Sequence, residues 1–135
     1  MIDKQYRNLT TTMPAIVLTT NVKPKDEAHE KELVLDLSKF SAETLNKPEK
    51  YISVVYNYVG TLSFHGSFDP AFLLHITSLG NINPEANEKY SKALFDYFKQ
   101  KLNIPGDRGY ITFYDPGNAY LGHEGTTFAA IFGTK

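Results

Sequence analysis

The chain has 135 residues, 41% of them hydrophobic, with a net charge of −1 and no cysteine. That length fits one domain and leaves little room for a second. The charge balance offers no field or Lys/Arg cluster to draw in nucleic acid or an anionic membrane, and no disulfide, thiol redox step or Cys-ligated metal is available. The longest apolar runs, such as Ala71–Phe72–Leu73–Leu74, are far too short to cross a bilayer.

Residues 1–12, MIDKQYRNLTTT, show neither helical nor alternating patterning and lack a signal peptide's apolar stretch. They are expected to be a disordered or processed extension, with the domain proper spanning residues 13–135. The glycosylation-type triplet Asn8–Leu9–Thr10 is taken as chance without a secretion signal. Ile16–Val17–Leu18 then reads as a strand apolar on both faces. Leu33, Leu37, Phe40 and Thr44 share one helical face behind an acidic first turn with Asp26 and Glu27, and that helix ends near Asn46, before Pro48. Ile52, Val54, Tyr56 and Tyr58 alternate with Ser53, Val55 and Asn57, as a strand requires.

Phe72–Leu73–Leu74 is a second continuously apolar strand. Asn83 is placed to cap a helix with Pro84 in its first turn. Ala86, Tyr90, Ala93, Leu94, Tyr97, Phe98 and Leu102 form its apolar stripe, and Pro105–Gly106 is expected to break it. Gly117 in Asp115–Pro116–Gly117–Asn118 reads as a turn residue, and Thr126 to Phe132 as a further short strand.

The two halves repeat. Pro14–Ala15–Ile16–Val17–Leu18 is echoed by Pro70–Ala71–Phe72–Leu73–Leu74, Asn46–Lys47–Pro48 by Asn103–Ile104–Pro105, and Tyr51–Ile52–Ser53–Val54 by Tyr110–Ile111–Thr112–Phe113. Each half is therefore a strand–helix–strand unit whose two strands run parallel. The expected fold is α+β: two βαβ pseudo-repeats forming a four-stranded mixed sheet with both helices on one face. Two helices cover one face of such a sheet, while the inner strands carry apolar side chains on both. The bare face predicts an obligate homo-oligomer.

His29, His65, His75 and His123 are scattered, no pair has a metal site's helical spacing, and His123–Glu124 lacks the second histidine of a zinc motif. No metal is expected. His75, on an apolar strand, is expected to be a hydrogen-bonded core residue. No phosphate-binding glycine loop, nucleophile elbow or paired-carboxylate pattern is present.

Several short stretches at nearly constant spacing carry a family likeness. The run Met13–Pro14–Ala15–Ile16–Val17–Leu18–Thr19–Thr20–Asn21–Val22 resembles the start of the macrophage migration inhibitory factor family and its tautomerase relatives. So do Lys47–Pro48–Glu49–Lys50–Tyr51–Ile52, Ser78–Leu79–Gly80, Tyr90–Ser91–Lys92, Asp107–Arg108–Gly109–Tyr110–Ile111 and Thr126–Thr127–Phe128–Ala129. The resemblance implies a homotrimer whose three sheets form an inner barrel, with active sites between neighbouring subunits. It makes Pro14 the catalytic amino-terminal proline and Lys47 the anchor of a substrate carboxylate. Leu79 would lie beside the reacting carbon, Tyr110 would be a pocket tyrosine from the adjacent subunit, and Leu121 and Phe128 would be pocket walls. Thr112 falls in the same pocket where vertebrate members carry asparagine, and His123 stands in place of a tryptophan, where it would tune substrate choice. Ala71 and Leu74 replace the paired cysteines credited with oxidoreductase activity, so that activity is not expected.

The implied reaction is keto–enol tautomerisation of phenylpyruvate- or dopachrome-like aromatic keto acids, without a cofactor. A chain-terminal proline is a secondary amine whose pKa starts near neutrality and is lowered by apolar surroundings or a nearby cation such as Lys47. Inside the chain the same nitrogen is an amide, its electron pair delocalised into the preceding carbonyl. Activity therefore requires Pro14 to become the amino terminus, by initiation at Met13 and methionine removal or by proteolysis. The alternative is a cytokine-like protein that binds a receptor and retains only vestigial catalysis. A scaffold trimer with a blocked pocket is a third reading, if the extension is kept. The expected location is cytoplasmic, or outside the cell after secretion without a signal peptide.

Overall fold

A computed structural model describes residues 14–133. The expectations for the extension at residues 1–12 and for Met13 fall outside the described residues. The elements are β1 (Ala15–Thr20), α1 (Glu27–Leu45), β2 (Ser53–Tyr58), β3 (Phe72–Thr77), α2 (Pro84–Leu102), β4 (Gly109–Tyr114), β5 (Gly122–His123), β6 (Thr126–Thr127) and α3 (Phe128–Phe132), with single 3-10 turns at Glu49–Tyr51 and Asn118–Tyr120. The main sheet runs β2-β1-β3-β4. β1 and β2 are parallel, as are β3 and β4, and β1 meets β3 antiparallel. Two βαβ units thus join through their first strands, and the mixed sheet expected from the repeat is present.

The two long helices have matching ends. The Asp26 carboxylate accepts from His29 N–H at 2.8 Å, and Asn83 Oδ1 accepts from Ala86 N–H at 2.9 Å, each satisfying a donor that the first turn leaves open. At the other ends Asn46 (φ 55°) and Asn103 (φ 59°) take the left-handed conformation. The next residues then donate back into the helix, Lys47 N–H to Ala42 O and Ile104 N–H to Phe98 O. Asn103 ends α2, so Pro105–Gly106 follows a helix already closed rather than breaking it.

Strand alternation puts Ile16, Leu18, Phe72, Leu74 and Ile76 in the core, where Leu37, Leu45, Leu94, Tyr97 and Phe98 of the helices meet them. The alternate residues of each strand point the other way. Leu73, Val55, Tyr110 and Tyr114 are exposed there, and His75 is exposed with them rather than held in the core. The apolar run on β3 is real, but one chain covers only its even positions. The tail also differs from expectation. Only Thr126–Thr127 is strand, paired with β5, whereas Phe128–Phe132 is a helical turn. Phe128, Ile131 and Phe132 stand at i, i+3 and i+4, and all pack with Leu79 in a second, smaller cluster.

Gly109 opens β4 against Phe72, which is fully buried and wedged against Phe95 and Phe98 at ring separations of 5.2 and 4.6 Å. A Cβ on Gly109 would overlap the Phe72 ring. Gly109→Ala is expected to lower unfolding free energy by about 1–3 kcal/mol, the usual cost of overpacking a filled core. Urea denaturation of the variant beside the parent chain measures this.

Candidate functional site

Pro14 is buried immediately before β1, and its carbonyl accepts from Ser53 N–H at 3.2 Å. Ala15 lies opposite both Ser53 of β2 and Thr77 of β3. The parallel and antiparallel pairings therefore gather three chain segments at one end of the sheet: the head of β1, the lead-in to β2, and the exit from β3. Lys47 and Tyr51 belong to the second segment and Leu79 to the third. Hydrogen bonds anchor the exit from β3 to the end of α1 and to the segment after β4. Ser78 Oγ donates to Asn81 Oδ1 at 2.6 Å, Asn81 Nδ2 reaches Leu45 O at 3.5 Å at the end of α1, and Gly80 N–H donates to Asp115 Oδ2 at 2.9 Å.

Lys47 is only 6% exposed. Among the described residues no carboxylate pairs with its ammonium, and burial pulls its pKa down from 10.5 to about 8. A lysine following a helix C-terminus normally extends into water, so this one is held in a costly place. An anion arriving beside it would recover part of that cost.

Leu79 and Phe128, each 1% exposed, form a small apolar cluster with Leu121, Tyr51, Ile131 and Phe132 around them. His123 joins this wall. Its ring stacks on Phe128 at 5.7 Å and 8°, meets Tyr51 edge-on at 6.3 Å, and places Nε2 3.5 Å from the Glu124 carboxylate. Glu124 (φ 52°) and Gly125 (φ 78°) form the tight turn between β5 and β6, which sets the ring's position. Sequence reasoning did not select Tyr51 as a site residue. The signal was present, because Tyr51 closes the same Lys47–Pro48–Glu49–Lys50–Tyr51 motif.

Tyr110 and Thr112 are not brought to this end in the same chain. Tyr110 pairs with Leu73, which lies opposite Thr19, so it sits four residues along the sheet from Ala15, about 13 Å at the usual strand rise. Thr112 pairs with His75, level with Val17. Both side chains are exposed on the face away from the helices. One chain therefore brings the segments carrying Pro14, Lys47 and Leu79 to one end of the sheet, packs Leu121 and Phe128 with Leu79, and leaves Tyr110 and Thr112 facing outward. Among the described residues no group of three His, Asp or Glu side chains is arranged to hold a metal ion. None of the described helices is long and apolar enough to cross a membrane.

The family model for macrophage migration inhibitory factor (MIF) matches residues 13–129. The chain is 38% identical over 117 residues to macrophage migration inhibitory factor of Xenopus tropicalis, covering 87% of this chain and all of that one. It is 37% identical over 116 residues to the Trichinella spiralis homolog, covering 86% of this chain and all of the relative. Among solved structures, the Trichinella spiralis factor superposes with a TM-score of 0.75 at 35% identity, covering 84% of this chain and 99% of the other. The Prochlorococcus marinus homologue gives 0.74 at 30% identity, with 84% and 98% covered. A sheet of two joined βαβ units, a buried proline heading its first strand and a match across nearly the whole described length lead to one assignment: the chain belongs to the macrophage migration inhibitory factor family.

Proposed function

We propose that the protein is a keto–enol tautomerase for phenylpyruvate- or dopachrome-like aromatic keto acids, active once Pro14 is the amino terminus. The observation that carries this reading is the buried Lys47, paired with no carboxylate among the described residues, in the segment that enters the sheet at the same end as Pro14. A cation kept out of water beside a potential secondary amine suits a carboxylate-bearing substrate whose proton must be moved. Lys47 receives the substrate carboxylate. The Pro14 nitrogen, unacylated and neutral, takes a proton from the carbon next to the ketone and returns one at the other end of the enol system, so no net proton is consumed. Leu79, Leu121 and Phe128 exclude water from the ring-binding side, with Tyr51 and His123 extending the wall.

The assembly proposed is a homotrimer in which the uncovered sheet faces bury one another and Tyr110 and Thr112 enter the neighbour's pocket. The outward direction of Tyr110, 67% exposed, supports this. Tyr110 then donates a hydrogen bond to developing enolate oxygen or packs against the substrate ring. Location in the cytoplasm, or secretion without a signal peptide, and binding of a protein receptor belong to the same proposal. The relatives' name favours a signalling role as the second reading, in which the trimer binds a receptor and turnover is incidental.

Three proteins separate the readings: the chain begun at Met13 with the methionine removed, the full 135-residue chain, and the Pro14→Gly variant of the short form. The short form is expected to turn over phenylpyruvate and dopachrome methyl ester. The full chain is expected to be nearly inactive, and Pro14→Gly to lose about 100-fold or more in kcat/KM. Silence of both parent forms would reject the enzyme and leave the binding reading.

The pH profile gives a second check. Pro14 must be neutral to accept a proton, so activity rises with pH through the amine's titration. Lys47 must be charged to hold a carboxylate, so KM rises as pH passes about 8. The result is a bell. Lys47→Met is expected to raise KM by about tenfold or more at pH 7 and to abolish the alkaline limb. An unchanged alkaline limb in that variant would assign it to another group.

A further inference from the structure

Tyr110 projects from the uncovered face of β4, where an isolated tyrosine would exchange among staggered side-chain rotamers. Here its ring meets that of Phe64, with centroids 5.1 Å apart and planes tilted by 45°. Phe64 comes from the long connection between β2 and β3, and its own placement is closely determined. Phe64 and Ser67 exchange two backbone hydrogen bonds of 3.0 and 3.1 Å across a two-residue turn in which His65 (φ 54°) and Gly66 (φ 71°) are both left-handed. Arg108, just before β4, sets its guanidinium 5.6 Å above the Phe64 ring. The same guanidinium donates to Pro70 O and Asp69 O at 2.9 Å and to Ser67 O at 3.4 Å.

Asn21, following β1, holds the connection from its other side. Its Nδ2 donates to Leu62 O, Phe68 O and Asp69 O at 3.1, 3.0 and 2.9 Å, and its Oδ1 accepts from Ala71 N–H at 2.9 Å. Closing a loop requires far fewer ties than these. What the ties achieve together is a fixed aromatic ring beside an otherwise free tyrosine.

We propose that Phe64, clamped by Arg108, is a positioning residue that holds Tyr110 in the orientation in which it enters the pocket of the neighbouring subunit. This rests on the tautomerase reading, in which Tyr110 serves a Pro14 of another chain. Phe64 touches no substrate. It acts through Tyr110, because displacing a pocket group by an ångström costs up to about 100-fold in rate.

The test uses chains beginning at Pro14, carrying Phe64→Ala, Phe64→Leu, Tyr110→Ala and the Phe64→Ala/Tyr110→Ala pair, each confirmed as the parent oligomer by sedimentation. Phe64→Ala is expected to lower kcat/KM about tenfold and Phe64→Leu to recover most of it. In the Tyr110→Ala background Phe64→Ala should change the rate less than about twofold, since the residue it positions is gone. Full multiplication of the two losses, or parent-like activity in Phe64→Ala, would overturn the proposal. Oligomers refolded from a mixture of Pro14→Gly and Phe64→Ala chains should exceed the summed activity of the two parents. In the mixture an intact Pro14 meets an intact Phe64–Tyr110 pair across a subunit boundary, and no gain would overturn action between subunits. A second readout is independent of turnover. Tyrosine-labelled NMR should show one Tyr110 χ1 rotamer in the parent and averaging in Phe64→Ala; a single rotamer in both overturns positioning. Averaging in an oligomer that is inactive even as the parent would leave Phe64's role standing and reject the tautomerase reading instead.

Discussion

Both long helices of this fold lie over the same face of the sheet, and the rest of the molecule answers to that. Each strand turns alternate residues toward the helices, so Ile16, Leu18, Phe72, Leu74 and Ile76 are sealed while their neighbours are not. Burying those five side chains supplies much of the core. It also leaves Val55, Leu73, Tyr110 and Tyr114 without cover, together with His75 and Thr112. An apolar sheet face of that kind favours association. The residues that need a partner for solvation reasons include those that the family resemblance assigns to a neighbour's pocket. In the proposed trimer, assembly and completion of the site would be one event.

The internal repeat made most of this architecture readable. Paired landmarks such as Pro14 with Pro70 and Tyr51 with Tyr110 mark equivalent points in each half; Asn83 caps the second helix as expected, while Asp26, read as part of an acidic first turn, is the cap of the first. How the halves join was not readable. A parallel pair within each half follows from the crossover and a mixed sheet requires an antiparallel joint, but nothing local determines that β1 and β3 are the strands that meet there. His75 was misplaced for a related reason: an apolar run signals burial on both faces without stating whether the same chain or another provides it. The tail was misread because five residues from Phe128 to Phe132 are too few for a helical period to separate from a strand. The relation of Phe64 to Tyr110 spans the β2–β3 connection and depends on a turn with two left-handed residues, so no spacing rule reveals it.

The site was legible in part, and by a different route. From pattern alone Pro14 opens a strand and Lys47 ends a helix with its charge toward water. Family motifs selected both, and the structure adds the burial of Lys47. The hydrogen bond from its amide to Ala42 O commits the backbone to fold back over the end of α1. The Glu49–Tyr51 turn then carries the chain toward β2.

That burial sets a condition on the amine. Two basic groups at one end of a sheet each disfavour protonation of the other, so their titrations are coupled. Lys47 already sits near 8 through burial. For the lysine to stay charged while the proline stays neutral, the proline must give up its proton first, at lower pH. A terminal amine begins at about 8, level with the buried Lys47, so the order depends on apolar surroundings and the lysine's charge lowering the proline further. With Pro14 acylated the coupling disappears: one partner is a neutral amide with no electron pair to offer. Under the proposed function Lys47 can then still meet a carboxylate, but Pro14 supplies no base to act on the bound molecule.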